Sequence, residues 1–294
     1  MRIQIASNLF VHQNYTWKQA MKLLTPGKAD NLALLGNIGN PNSPKTKEFV
    51  RWCSEHWKQV YCIPGALELQ YRDNLYNLYS SIPSNIHILD NSEVQTNSFT
   101  ILGCPLWSAY GKKLGQFGSL SDRDRYFMAH KTPRQIEHFH QEDLEYLSER
   151  LRYLGNSLLN KKRVILLTHW LPSKKLLGEQ LQYDRNLYLH VSDMNFVLNN
   201  TVAGCLSGAG GATQESYIGN RFNPLVPCFV NSAFRGPDMV PNPLYDRQMI
   251  IEFSDEDFSS REMNSSVIQT DRFIANILKY LPQPRVVNAY PNLQ

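Results

Sequence analysis

The chain has 294 residues, a formal net charge of +4, 42% hydrophobic and 19% charged residues, and a pI near 8.7. These values exclude a fibre and a disordered chain and leave one large domain or two small ones. Runs such as "VILLTHWLP" fall short of the roughly 20 apolar residues a bilayer requires, and the scattered Lys and Arg argue against a nucleic-acid partner.

The amino terminus enters a strand pattern directly, with no long apolar stretch after Arg2, so an intracellular, cytoplasmic location is the default expectation. The cysteines, at 53, 62, 104, 205 and 228, are odd in number and show no paired short spacing. They are expected to be buried reduced thiols rather than a disulfide or zinc framework.

In chain order, strands are predicted at "RIQIA", "NLALL", "QVYCIP", "SFTILG", "RVILLTH", "VAGCLSG", "PCFVN" and "RQMIIEF". Helical patterns over residues 15–24 and 44–57 separate the first three, and such alternation predicts parallel strands covered by helices. The clearest helix spans residues 133–154, with Leu144, Leu147, Leu151 and Leu154 on one face, Pro133 in its first turn and Gly155 at its end. His138 and His140 lie two apart on it, so they cannot share a metal and are expected at the surface or boundary. Past Phe253, "SDEDFSSREMNSS" reads as a polar linker and "TDRFIANILKYL" as a short amphipathic helix, followed by an extended tail. The expected division is therefore residues 1–253 and residues 254–294.

The ends of the predicted strands carry a recognisable frame. Asn8 and Phe10 follow the first strand, Gly36-Asn37 the second, and "GALE", with Ala66, Leu67 and Glu68, the third. His169 closes "VILLTH", and Gly208, Ala209, Gly210 and Gly211 close "CLSG". With the flanking "ILGCPLWS" and "CFVNSAFRG", this order resembles the calcineurin-like metallophosphoesterases over residues 1–253. The resemblance implies a four-layer α/β/β/α sandwich of two mixed sheets, here with a carboxy-terminal helical extension.

In that family the matched positions hold a pair of divalent cations. Carboxylates, one of them bridging, offset the repulsion between the ions, and the metals lower the pKa of a bound water. Carried over residue by residue, the ligand positions hold Asn8, Phe10, Asn37, Ala66, His169, Ala209 and Gly211, and the leaving-group acid position holds Leu67. Only His169 retains a ligand side chain of the family's kind. Asparagine offers a carbonyl oxygen without the charge that compensates a dication. The resemblance thus implies a degenerate site without metal or cofactor and no catalytic residue.

The other candidates weigh less. His12, Glu68 and His169 form a residual ligand set only if they converge, because zinc catalysis takes about three protein ligands. The "GAGG" stretch leads into a strand-like segment rather than a helix, so a glycine turn is favoured over a phosphate cradle. Arg123, Arg125 and Lys131 lie in a charged segment that either caps the cleft or forms a solvated loop, with the solvated loop favoured. The resulting expectation is an inactive phosphoesterase-like scaffold that binds itself or another protein, with residues 270–294 the candidate contact and some of the 15 tyrosines a candidate surface. A viral particle is the alternative setting. The competing readings are a metal-free ligand or nucleotide sensor, lined by Asn8, Asn37, His169 and Glu68, and an altered single-metal phosphoesterase.

Overall fold

The computed structural model describes residues 1–13, 16–71, 82–109, 121–156, 162–179, 187–192, 194–220, 223–236 and 238–254. Its first part alternates as predicted: β1 (Arg2–Ala6), α1 (Trp17–Met21), β2 (Asn31–Leu35), α2 (Pro44–His56), β3 (Gln59–Ile63), α3 (Ala66–Leu69) and β4 (Ile86–Ile88). There follow β5 (Ser92–Gln95), β6 (Phe99–Cys104), α4 (Asp122–Phe127), α5 (Pro133–Asn156), β7 (Arg163–Thr168), β8 (Val202–Ser207), β9 (Thr213–Asn220), β10 (Asn223–Asn231) and β11 (Ile250–Glu252).

The strands form a five-stranded sheet in the order β11-β1-β2-β3-β4 and a six-stranded sheet in the order β5-β6-β7-β8-β10-β9. In the first, β1 to β4 run parallel, and β11 returns antiparallel on β1. The second is parallel from β6 through β10, with β5 and β9 antiparallel at its edges.

Period-two alternation sorts the side chains into layers. Ile3 and Ile5, Ala33 and Leu35, and Tyr61 and Ile63 face Phe99, Ile101, Ile165, Leu167 and Leu206 in the core between the sheets. The intervening Leu32, Leu34 and Val60 pack outward with Phe49, Trp52 and Cys53 of α2. On the other side, Val164, Leu166, Cys205 and Cys228 meet Leu144, Leu147, Leu151 and Leu154 of α5. The result is the expected four layers of helix, sheet, sheet and helix. At one end, a parallel bridge between Ser7 and Ser232 ties the end of β1 to the end of β10, so the two sheets converge there.

Some elements differ from the sequence reading. β4 and β5 are three and four residues long and half exposed, too short and polar to give an apolar run. Gly155 does not end α5, which continues to Asn156. His140 is not a surface residue: it is 2% exposed, and its Nδ1 lies 2.6 Å from the Trp107 carbonyl. His138 does lie at the surface, 3.5 Å from Glu142. The charged segment is not a solvated loop but opens as helix α4, capped by Ser121, whose side chain accepts from the Asp124 amide. The five cysteines are buried and free. The predicted linker, carboxy-terminal helix and tail lie outside the described residues, apart from Ser254.

Candidate functional site

The site forms where parallel strands end and their loops must turn. After β1 the amides of Asn8, Phe10 and Val11 donate to the carbonyls of Gly36, Asn37 and Ile38, so the loops after β1 and β2 zip together. This path places Asn8, Phe10 and Asn37 in the left-handed region, at φ 52°, 48° and 55°. Asparagine tolerates that conformation, whereas phenylalanine is strained in it by about 1 to 3 kcal/mol.

Four of the predicted positions meet at hydrogen-bond distance. Asn37 Nδ2 donates to Asn8 Oδ1 at 2.9 Å and faces His169 Nε2 at 3.4 Å. Asn37 Oδ1 accepts from the Leu67 amide at 2.9 Å. Asn8 Nδ2 donates to Ser232 Oγ at 3.2 Å. His169 Nδ1 lies 2.8 Å from the Leu35 carbonyl. A carbonyl only accepts, so the proton sits on Nδ1 and Nε2 is left as the acceptor facing Asn37. Burial lowers the His169 pKa to about 4, partly opposed by the Leu35 hydrogen bond, which keeps the ring neutral. The amide of Asn37 thereby satisfies two lone-pair donors that would otherwise face a cation.

Glu68 plays a different part. Its Oε2 accepts from the amides of Asn37 and Gly65, both at 2.9 Å. Its Oε1 accepts from Ile38 at 2.7 Å and Gly39 at 3.2 Å. Burial raises its pKa while these main-chain donors pull it down. The carboxylate therefore caps α3 and pins the loop after β2.

The remaining ligand positions are structural. Phe10 is fully buried, with its ring 6.3 Å from Tyr126 of α4 and 6.4 Å from Phe234. Ala66 packs with Leu69, Trp107 and Trp170, and Trp170 stacks on Trp107 at 4.4 Å while lying edge-on to His169 at 4.7 Å. Leu67 joins the cluster that contains Phe10. The Ala209 amide donates to the His169 carbonyl at 2.6 Å. Gly211, at φ 59°, packs against the Arg235 backbone and leads to β9, so the glycine-turn reading holds. His12 is half buried with Lys45 nearby, and burial and that charge lower its pKa.

Among the described residues no group of three or more His, Cys, Asp or Glu side chains is placed to hold a metal, so His12, Glu68 and His169 do not form such a set. The donors that do converge are two amides and one imidazole already bonded to one another, with both oxygens of the nearby carboxylate taken by main chain. This donor set does not fit a pair of dications, which need uncommitted carboxylates. The charged segment contributes aromatic rings beside the site: the Tyr126 ring lies 6.3 Å from that of Phe10, tilted by 47°, and Phe127 lies edge-on to His190 at 4.3 Å.

Sequence reasoning missed Tyr126, Phe234, Ser7 and Ser232. Ser7 Oγ donates to the Gly208 carbonyl at 2.7 Å and lies 3.0 Å from Ser232 Oγ, closing the polar network at the sheet junction. The role of Glu68 had a legible signal, an acid three residues after a strand-terminal glycine, which is the spacing of a capping box. Tyr126 had none, because an aromatic within a charged run gives no indication of what it covers.

No protein-family model matches the sequence. An uncharacterised protein of Acanthamoeba polyphaga mimivirus is 25% identical over 198 residues, spanning 60% of this chain and 70% of the viral protein. Among solved structures, the phosphopantetheinyl hydrolase of Mycobacterium tuberculosis superposes with a TM-score of 0.57 at 13% identity, over 83% of this chain and 97% of that one. A protein described as a 5′-nucleotidase from Staphylococcus aureus gives a TM-score of 0.44 at 10% identity, over 93% of this chain and 58% of that one. The two mixed sheets, their flanking helices and the likeness to the hydrolase show the fold to be the calcineurin-like phosphoesterase sandwich.

Proposed function

We propose that this protein is a catalytically inactive phosphoesterase-like scaffold whose role is association with another protein or with itself. The observation that carries this reading is the closed, neutral network of Asn8, Asn37 and His169, packed beside a fully buried Phe10. Metallophosphoesterase chemistry requires charge and open coordination at those positions, and here they hold mutually satisfied amides and hydrocarbon.

The association half of the reading has separate support. β9 lies at the edge of the six-stranded sheet and presents an eight-residue strand with Tyr217 57% exposed. An edge strand can act as a template for another chain. Residues 270–294 remain the second proposed contact. No described helix is long and apolar enough to cross a membrane. The mimivirus relative supports a viral setting, either within a particle or in the cytoplasm of an infected cell.

Elemental analysis of protein purified without chelator, with a phosphodiesterase assay in added manganese, tests the first half. Near-zero metal and no turnover are expected; stoichiometric metal that is lost in His169→Ala overturns the reading. Light scattering on the full chain tests the second half, with a mass above the 33.9 kDa monomer, or a stable complex with a co-purifying protein, expected.

A further inference from the structure

Beside the strand-end network, a cavity of about 90 Å³ opens between α2 and the outer face of the five-stranded sheet. A single water needs roughly 10 to 15 Å³ by the same kind of measure, so the space holds several waters or a small organic group. Its walls are apolar, built from Leu34, Ile38, Val50, Cys62 and Ile88, with β3 and β4 as its floor.

The charge around this cavity points to the kind of ligand it would take. Thr46, on the first turn of α2, lines it and is only 7% exposed, with its hydroxyl packed against Gly39 rather than turned into the space. Lys47 and Arg51 also border the cavity and are exposed. Four residues apart on α2, they share one helix face, so the cavity has a cationic rim over an apolar interior. Glu68 is the acidic residue of the lining, and both its oxygens are already bonded to main-chain amides.

We propose that this cavity is a binding site for a small amphipathic carboxylate, with its hydrocarbon body against Val50, Cys62 and Ile88 and its anionic head at Lys47 and Arg51. The cavity shares Glu68, Ile38 and Gly39 with the loop beside the strand-end network, but Asn8, Asn37 and His169 do not line it, and the proposal does not depend on whether that network is inactive.

The test uses the full chain with 1-anilinonaphthalene-8-sulfonate as a fluorescent amphipathic anion and octanoate, octylamine and octanol as competitors. Saturable binding of the probe is expected, with displacement by octanoate and at least about tenfold weaker displacement by octylamine or octanol. Val50→Trp, which fills the cavity, is expected to abolish binding, and Arg51→Glu to weaken octanoate at least about tenfold. Equal displacement by octylamine or octanol, or unchanged octanoate affinity in Arg51→Glu, overturns the proposal. Arg51 is on the surface, so this variant decides the matter even if Val50→Trp fails to fold.

Discussion

His169 is the one side chain that the sequence marks as a ligand and the structure keeps at the site's centre, yet its surroundings make it a structural base. Its pKa of about 4 in the fold, against 6.5 for an unperturbed imidazole, means that the unfolded chain takes up the proton first as the pH falls. The contribution is therefore fully present above about pH 6.5 and is lost as the pH falls toward about 4, amounting to roughly 3 kcal/mol. Urea unfolding across that window should show the slope in the wild type and a flatter one in His169→Gln; superimposable profiles would show that the ring is not held neutral by burial. At Asn37, the exchange of one amide nitrogen for oxygen matters just as much. In Asn37→Asp an acceptor would face Asn8 Oδ1 and His169 Nε2 where a donor now stands. We expect a loss of about 2 to 4 kcal/mol at neutral pH. We also expect no manganese-dependent turnover, even in Asn8→Asp/Asn37→Asp, because Phe10, Ala66, Ala209 and Gly211 still offer no ligand. Phosphodiesterase activity in that double variant would contradict the account of the site.

At the scale of elements, the sequence revealed strands better than what covers them. β1, β2, β3, β7 and β8 were legible because they are buried on both faces and so read as continuous apolar runs. The loops after them were legible through the residues they present, Asn8, Asn37 and Gly208 to Gly211. Helix α4 was not, because its capping Ser121 and Asp124 sit in a run of charges that fits a solvated segment equally well. What α4 does is set by Tyr126, whose ring packs near Phe10 while its hydroxyl is buried without a partner among the described residues. Removing an unpaired buried hydroxyl leaves the packing intact and relieves a desolvation penalty. Tyr126→Phe should therefore be neutral or raise stability by up to about 1 kcal/mol in thermal unfolding. A loss of more than about 1 kcal/mol would mean that the hydroxyl has a function in the fold. Glu68 is the opposite case, a buried acid with every oxygen used. Glu68→Gln would turn an amide nitrogen toward main-chain donors and should cost about 2 to 3 kcal/mol.

For the whole molecule, the decisive contact is where the two sheets meet. A side chain at Gly208 would place its first carbon 1.7 Å from the Leu35 carbonyl oxygen, the same oxygen that fixes the His169 ring. Neither backbone can yield without parting β2 from the turn after β8. Gly208→Ala should therefore cost about 3 kcal/mol and weaken protection of amides in both sheets, as hydrogen exchange would show. Exchange confined to the β8 turn would indicate that the sheets are joined elsewhere. The sequence showed that glycine stands here but not why, since the contact joins residues more than a hundred positions apart.

The left-handed backbone at Asn8, Phe10 and Asn37 bears on how such a protein can change. Aromatic packing and amide hydrogen bonds hold the path of these strand-end loops. Introducing a single carboxylate or imidazole here would break this support before any ion could replace it, and neighbouring substitutions of this kind do not add independently. Passage between a metal-holding and a filled form therefore crosses a valley of unstable intermediates, in either direction. The surface of a protein so filled is free to vary for new contacts, while its interior resists the stepwise building of a metal site.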